Sequence, residues 1–291
     1  MNNPNYIIIT PVRDEADYIS KTIHSVVCQT IRPNQWIIVN DGSKDATGCL
    51  VNKAAADHEW IHVAHRHDRG FRKSGGGVVE AFYDGYKEIK DICWDFLVKL
   101  DGDLEFNSDY FEGCFRKFDE NEKLGIGGGS VYCWNNGELV EECSSDAAFH
   151  VRGACKIYRA ACWRDIGELI PSPGWDTFDE IKANMLGWTT DRFKDLRVIE
   201  NKPTGSADGA WKTSIKDGRA NYIVGYHPLF MLLKCLRRMF HHYYGLEALG
   251  LSYGFISGYL KGVPQIKDRQ LINYLRQQQI RRLLYRNSLW N

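Results

Sequence analysis

The sequence predicts an α/β fold in which a mostly parallel sheet is flanked by helices, with a C-terminal helical extension. Strand-like and helix-like segments alternate through the first 104 residues. The strand-like segments are continuous apolar runs, as expected of parallel strands covered on both faces. The chain after about residue 205 shows apolar helical stretches instead. Repeated β-α units of this length give a Rossmann-like sheet with helices on both sides.

The first two β-α units begin close to the N-terminus. Residues 6–10 form a β-branched run, and residues 16–29 follow with apolar side chains at helical spacing. Residues 35–40 are the second predicted strand, and Ser43 or Asp45 is expected to cap the helix after it.

The next units complete the predicted sheet. Residues 60–64 and 94–100 are predicted strands, with a helix over residues 78–89 between them. A later helix is expected over residues 181–187, ending at a glycine. Ligands of such sheets bind at the carboxyl ends of the strands.

Polar residues gather at those carboxyl ends. The four predicted strands are followed by the segments 11–15, 40–47, 65–70 and 101–103. The last, Asp-Gly-Asp, is on its own more typical of a turn, and each of the others fits the start of a capped helix. Four such segments at one sheet edge instead indicate a binding site.

The order of these segments resembles the family 2 glycosyltransferases. Their nucleotide-sugar domain opens with a strand, Pro-x-x-Asn/Asp-Glu and a helix, continues with Asp-Asp/Asn-Gly-Ser-x-Asp-x-Thr after the next strand, and later carries D-x-D. The matching segments here are 11–15, 40–47 and 101–103, and the resemblance covers roughly residues 6 to 190. It implies a GT-A fold and a nucleoside-diphosphate sugar as the donor.

The resemblance also implies roles for individual residues. Asp14 or Glu15, together with Asp41, would hold the uracil or the ribose, and Asp101 would hold the ribose. Asp103 would bind Mg²⁺ or Mn²⁺, which stabilises the leaving diphosphate. Arg72 and Lys73 either surround the diphosphate or are merely solvated. The residues expected to bind the donor are Pro11, Arg13, Glu15, Asp41, Asp68, Arg69, Asp101 and Gly102.

The general base of an inverting transfer is expected near residues 174–180. A carboxylate there would take the proton of the acceptor hydroxyl. The usual Glu-Asp-x-Asp-Leu spacing of the family is absent, so Asp176 and Asp179 are both candidates, with Glu180 behind them. Asp176 is favoured slightly, because Asp179 is expected in the first helical turn, where an acid suits the helix dipole anyway.

Two further residues have alternative interpretations. His227 is a candidate metal ligand, although a histidine before a proline is more often a structural hydrogen-bonding group. Trp175 could stack on an acceptor sugar, and core packing is at least an equal alternative.

The C-terminal region carries an excess of positive charge. Residues 219–291 contain eleven Lys or Arg against two acids, while the whole chain has a formal net charge of zero. This predicts either a basic amphipathic helical region on the inner membrane surface or a helical subdomain with a solvated basic face. Nucleic-acid binding is disfavoured, because no RNP, OB or helix-turn-helix signature accompanies the charge.

The predicted organisation is a catalytic domain over residues 1–205, divided into a nucleotide-sugar half (1–104) and an acceptor half (105–205), and a helical region over 206–291. Nine scattered cysteines without a CxxC pair, and no signal-peptide pattern, favour a cytoplasmic location.

The predicted function is metal-dependent inverting transfer from a UDP-linked sugar to a saccharide or lipid-linked saccharide in cell-surface polysaccharide synthesis. The alternatives are a sugar nucleotidyltransferase, whose Gly-rich loop is missing after the first strand, and a non-catalytic relative that binds nucleotide sugar or polysaccharide.

Overall fold

The computed structural model describes residues 3–71, 76–142, 147–202, 209–239 and 245–290. The strands are β1 (Tyr6–Val12), β2 (Gln35–Asn40), β3 (Ile61–His65), β4 (Phe96–Leu100), β5 (Leu104–Phe106), β6 (Leu124–Asn135), β7 (Glu138–Glu141), β8 (Cys155–Arg159) and β9 (Thr189–Glu200). The helices are α1 (Ile19–Val27), α2 (Thr47–Asp57), α3 (Gly76–Lys87), α4 (Tyr110–Glu120), α5 (Ala160–Ile166), α6 (Trp175–Met185), α7 (Gly209–Val224), α8 (Pro228–Met239), α9 (Gly245–Leu260) and α10 (Arg269–Leu283).

The strands form one sheet in the order β3-β2-β1-β4-β8-β6-β9-β5, with β7 paired to β6. The first four in this order are parallel, as predicted for the nucleotide-sugar half. The strand β8 then joins β4 in the antiparallel sense and continues the sheet into the second half. The carboxyl ends of β1, β2, β3 and β4 therefore share one edge, where the polar segments were expected to meet.

Helices cover both faces of the sheet. Alternate residues of β1 and β2 point to opposite sides, so that Ile8 and Ile38 pack with α1, α2 and α4, while Ile7 and Ile37 pack with α3, α5 and α6. Burial on both faces explains why these strands read as continuous apolar runs.

The start of α6 differs from the prediction. This helix begins at Trp175, six residues before the expected start, because Gly174 takes a φ of +86° that lets the chain turn into the helix. Asp176 thus lies in the first helical turn, and the reason given for favouring it over Asp179 was wrong. The predicted end is confirmed, since Gly187 has a φ of +92° after the last turn.

The C-terminal extension is helical, as predicted. The helices α7 to α10 share a core with α6, in which Phe178 and Ile181 pack against Tyr222, Phe255 and the side chains around them. The extension is therefore tied to α6. The predicted boundary at residue 205 lies outside the described residues. Within the described segments, none of the helices is long and apolar enough to cross a bilayer.

Candidate active site

The loops that follow β1 and β2 are joined by hydrogen bonds. Ser43 Oγ accepts from the backbone N–H of Asp14 at 3.0 Å, and Thr47 Oγ1 accepts from that of Glu15 at 2.8 Å. Asp45 Oδ2 accepts from the backbone N–H of Ala16, and its Oδ1 accepts from that of Thr47. These bonds hold Asp14 at a φ of 53°, which a residue with a side chain rarely adopts. Three residues of the second polar segment thus shape the first.

Asp41 lies in a cluster of arginines. Its Oδ1 accepts from Arg66 Nη1 at 2.5 Å, and Arg69 contacts its other carboxylate oxygen. Arg13 donates to the backbone carbonyl of Asp41 at 2.7 Å and to Asp68 Oδ1 at 2.8 Å. The structure therefore brings together four of the residues expected to bind the donor, with a buried carboxylate surrounded by guanidinium groups that suit a diphosphate.

Pro11 and Gly102 lie next to the packed layer beneath the polar segments. Pro11 is half-buried in β1 opposite Val39, between the buried residues Thr10 and Val12. A Cβ atom on Gly102 would lie 2.5 Å from Val12 Cγ1 and 3.3 Å from Ile19 Cδ1. Gly102 thus lets Val12 pack closely against the segment between Asp101 and Asp103.

Carboxylates crowd the end of β4. Asp103 is 8% exposed, and burial, reinforced by the charges of Asp101 and Glu15, raises its pKa to about 7. Burial and the surrounding carboxylates, Asp103 among them, raise the pKa of Glu200 to about 8. Lys202 Nζ pairs with Glu15 Oε1 at 2.8 Å. The site therefore concentrates negative charge in a poorly solvated place.

A divalent cation fits this electrostatic environment. Hard cations prefer oxygen ligands, and Mg²⁺ typically takes one or two protein carboxylates together with phosphate oxygens and water. Asp101 and Asp103 supply such oxygens, and a cation would oppose the burial and the neighbouring negative charges that together raise the pKa of Asp103. Among the described residues, no group of three or more His, Cys, Asp or Glu is arranged to hold a metal alone. The residues present thus fit a metal shared with the diphosphate.

A buried lysine links Asp101 to the segment before β8. Lys99 is 2% exposed, its Nζ lies 2.5 Å from Asp101 Oδ1, and it also donates to the carbonyl oxygen of Gly153. A Cβ atom on Gly153 would lie 2.8 Å from Trp175 and 3.4 Å from Asp176 Oδ2. Lys99 thus joins Asp101 to Gly153, and Trp175 and Asp176 lie next to Gly153.

Asp176 is half-buried in the first turn of α6. Burial acts to raise the pKa of its carboxyl, but the charges of His150, Lys156 and Arg152 outweigh burial and leave the pKa below its usual value. The carboxylate consequently stays ionised at neutral pH and remains able to accept a proton.

Asp179 is placed differently. It is 1% exposed, Lys156 Nζ lies 2.8 Å from its Oδ1, and Tyr158 donates to its Oδ2 at 2.5 Å. Glu180 is fully buried as well, and contacts Lys156 at 2.7 Å and His150 Nδ1 at 2.8 Å. Both of its oxygens and those of Asp179 are thus used inside the protein. Of the candidate bases, Asp176 is thus the one that is not fully enclosed.

The remaining predicted residues have a structural environment of their own or lie outside the described segments. His227 Nδ1 accepts from the backbone N–H of Leu229 at 3.2 Å at the start of α8, so its ring caps a helix, and a metal role gains no support. Trp175 is 7% exposed and packs in the core, which is the alternative to sugar stacking. Arg72 and Lys73 are not among the described residues.

Several residues of the site were missed by sequence reasoning. Lys99 and Lys156 each interrupt an apolar strand, and a lysine in a buried strand signals a buried partner. Arg66 lies in a segment that had been singled out, but its pairing with Asp41 spans 25 residues. Glu200 and Lys202 reach the site through the pairing of β9 with β5 and β6, which no local pattern predicts.

Comparisons of sequence identify related proteins. Residues 7–142 match the model of Glycosyl transferase family 2. The chain is 27% identical over 247 residues to the poly-beta-1,6-N-acetyl-D-glucosamine synthase of Staphylococcus aureus (strain MSSA476), covering 77% of this chain and 56% of that protein. It is 25% identical over 132 residues to glycosyltransferase GlyA of Streptococcus pneumoniae serotype 4, covering 45% of this chain and 17% of that protein. The chain thus spans little more than half the length of the first and far less of the second.

Comparisons of structure confirm the GT-A fold. The mannosyltransferase PcManGT of Pyrobaculum calidifontis, solved with GDP-Man and Mn²⁺, superposes with a TM-score of 0.56 at 14% identity, covering 94% of this chain and 79% of its own. TarS of S. aureus, solved with UDP-GlcNAc, superposes with a TM-score of 0.55 at 16% identity, covering 97% of this chain and 86% of the TarS chain.

Proposed function

For a chain whose residues 7–142 belong to glycosyltransferase family 2, we propose metal-dependent inverting transfer of a sugar from a nucleoside-diphosphate sugar to a saccharide or lipid-linked saccharide. A UDP-linked donor and a product in cell-surface polysaccharide are part of the proposal. The chief support is the placement of two different carboxylate environments on either side of Lys99 and Gly153, one acidic and crowded, the other ionised and half-buried.

The donor side of the proposal uses the edge of the parallel strands. Asp41 and Glu15 bind the base and ribose, Arg13 and Arg69 face the diphosphate, and Asp101 binds the ribose. Asp103 holds Mg²⁺ or Mn²⁺, which would supply Lewis-acid stabilisation of the charge on the leaving nucleoside diphosphate. Arg69 lies at the same edge, where its Nη2 contacts Asp41 and its Nη1 contacts Glu80.

The acceptor side of the proposal rests on Asp176. Its ionised carboxylate accepts the proton of the acceptor hydroxyl as that oxygen attacks the anomeric carbon. Lys156 donates to the backbone carbonyl of Asp176 at 2.5 Å, which fixes the start of α6. Gly153 leaves room for the ring of Trp175, because a Cβ atom there would lie 2.8 Å from that ring. These contacts position the base without consuming its oxygens.

The relatives supply the chemical class of the substrates. One curated relative is named as a synthase of poly-beta-1,6-N-acetyl-D-glucosamine, and one related structure contains UDP-GlcNAc. A UDP-linked sugar and a growing polysaccharide are therefore the substrates to test first. The related mannosyltransferase was solved with GDP-Man and Mn²⁺, so GDP is the comparison nucleotide.

A location at the inner face of the membrane is a further part of the proposal. The excess of nine positive charges over residues 219–291 supports it, because the cytoplasmic leaflet is anionic. A lipid-linked acceptor would meet the enzyme there.

The decisive experiment compares Asp103→Asn with Asp176→Asn, using Asp57→Asn as a control at the exposed end of α2. We expect Asp103→Asn to lose the Mn²⁺-dependent rise in melting temperature with UDP, because a ligand that binds the native state stabilises it. We expect Asp176→Asn to keep that rise and to lose transfer from UDP-GlcNAc by about 10²- to 10⁴-fold.

Two outcomes would contradict this assignment. Transfer that survives in both variants would show that neither carboxylate is used as proposed. Nucleotide binding without transfer in the unmodified chain, across UDP, GDP, dTDP and CDP sugars, would favour the non-catalytic alternative.

A further inference from the structure

The helices α8 and α9 each have two apolar faces. On α8, Phe230, Met231 and Cys235 are buried against the neighbouring helices. The opposite side carries five exposed apolar side chains, Leu229, Leu232, Leu233, Leu236 and Met239. Their spacing of three and four residues places all five along one stripe of the helix. A helix of a water-soluble surface would carry polar residues there.

The same division occurs on α9. Ala248, Leu251, Gly254, Phe255 and Gly258 face the protein. The exposed stripe is formed by Leu246, Leu249, Tyr253, Ile256 and Leu260, and the exposed fraction of Leu260 reaches 81%. The helices α8 and α9 pack on one another, so the two stripes lie on neighbouring helices. We call these ten side chains the apolar face.

The size of the apolar face sets it apart from ordinary surface. Single exposed leucines are normal, whereas a group of ten large apolar side chains exceeds the largest patch that most monomeric proteins tolerate. Each stripe spans the length of its helix, so the exposure is continuous and not a local packing defect. The face therefore indicates an apolar partner.

The charge around the face indicates which partner. Arg237 is exposed beside the α8 stripe, and Lys261 is exposed directly after Leu260 at the end of the α9 stripe. The region from residue 219 onward holds eleven basic and two acidic residues. Apolar side chains bordered by cations match an anionic lipid surface, where the former enter the acyl boundary and the latter meet the headgroups.

We propose that the apolar face docks the protein on an anionic bilayer, with α8 and α9 lying in the plane of the interface. The inference rests on the proposed function, since docking on the membrane would bring the active site to a lipid-linked acceptor. Neither helix needs to cross the membrane, and at 12 and 16 residues neither is long enough to do so.

The test is co-sedimentation of the full chain with vesicles of phosphatidylcholine alone or with phosphatidylglycerol added. We expect binding to the mixed vesicles that weakens as salt is raised, because the cations are screened. Leu232→Ser combined with Leu249→Ser should weaken that binding by about tenfold or more, since each substitution removes apolar area that would be buried in the membrane. The matched control is Leu186→Ser combined with Leu284→Ser, two leucines of similar exposure outside the face.

Three results would overturn the proposal. The first is that the protein does not bind the mixed vesicles, and the second is that the two double variants bind them equally. The third is that the protein does not bind vesicles but self-associates in light scattering, and that the double variant at Leu232 and Leu249 abolishes this self-association. The last would identify a second copy as the occupant. The UDP thermal shift with Mn²⁺, measured on the same samples, separates loss of docking from failure of the donor site.

Discussion

Lys99 and Lys156 lie directly opposite each other on β4 and β8. Like charges at such a pair repel, and each ammonium is neutralised on its own side. Lys99 contacts Asp101, while Lys156 contacts Asp179 and Glu180. The ring of Trp175 covers both, with its centroid 5.3 Å from Lys99 Nζ and 5.5 Å from Lys156 Nζ. The two lysines thus join the donor-side carboxylate to the helix that carries Asp176.

Removing the charge of Lys99 should affect transfer. Lys99→Met removes the hydrogen bonds to Asp101 and Gly153 while keeping the length of the side chain. Since hydrogen bonds to charged groups contribute about 1.5–3 kcal/mol, we expect kcat/KM for the donor to fall by about tenfold or more. Lys87→Met, at an exposed position of α3, is the control. An unchanged kcat/KM in a folded Lys99→Met protein would show that the link is not used.

Removing the charge of Lys156 should affect stability. Lys156→Met leaves Asp179 and Glu180 buried without their shared cation, and breaking a buried ion pair from one side costs about 3–5 kcal/mol. The free energy of unfolding from urea titration measures this. The triple change with Asp179→Asn and Glu180→Gln should recover much of the loss, because no unpaired charge is then buried. Lack of recovery would refute the electrostatic explanation.

Adding a methyl group at Gly102 should strain the packing beneath the segment from Asp101 to Asp103. Gly102→Ala places Cβ within 2.5 Å of Val12, and overpacking of this kind costs about 1–3 kcal/mol. Combining it with Val12→Ala should relieve the clash, so the double variant is expected to lose less free energy of unfolding than the two single variants lose in sum. Strict additivity in the urea titration would contradict the contact as described.

Stability should fall as pH rises in the absence of divalent cations. The pKa values of Asp103 and Glu200 are raised to about 7 and about 8 in the folded protein, whereas in the unfolded protein both lie near 4. At a pH between these limits, the folded protein binds more protons than the unfolded protein. Stability is then lost as pH rises through this range. Melting temperatures at pH 5 to 8 measure the effect. Asp103→Asn and Glu200→Gln should each flatten the curve, and an unaltered slope in both would contradict the prediction.

The first half of the fold was predictable because its signals are local. The strand β2 was predicted with its observed bounds, and β1, β3 and β4 within two residues, since a β-branched run between turn residues carries its own evidence. The order of the polar segments then predicted a shared edge. The structure places Asp41, Asp101 and Asp103 at that edge.

The second half was harder because its evidence is long-range. The early start of α6 depends on Gly174 packing against Val224 and Ala220 of α7, which lie almost 50 residues away. The different environments of Asp176 and Asp179 on α6 depend on Lys156 and Tyr158, which lie on β8 and contact the Asp179 carboxylate. A linear pattern shows two acids three residues apart and gives no sign that one is enclosed.

The hydrogen bonds from Ser43, Asp45 and Thr47 to the loop after β1 have a practical consequence for protein engineering. The two loops behave as one part, because each supplies the donors or acceptors that shape the other. Grafting a single loop from another enzyme would leave those groups unmatched and deform the pocket it was meant to alter. A change of donor preference by loop exchange therefore requires both segments to be transplanted together.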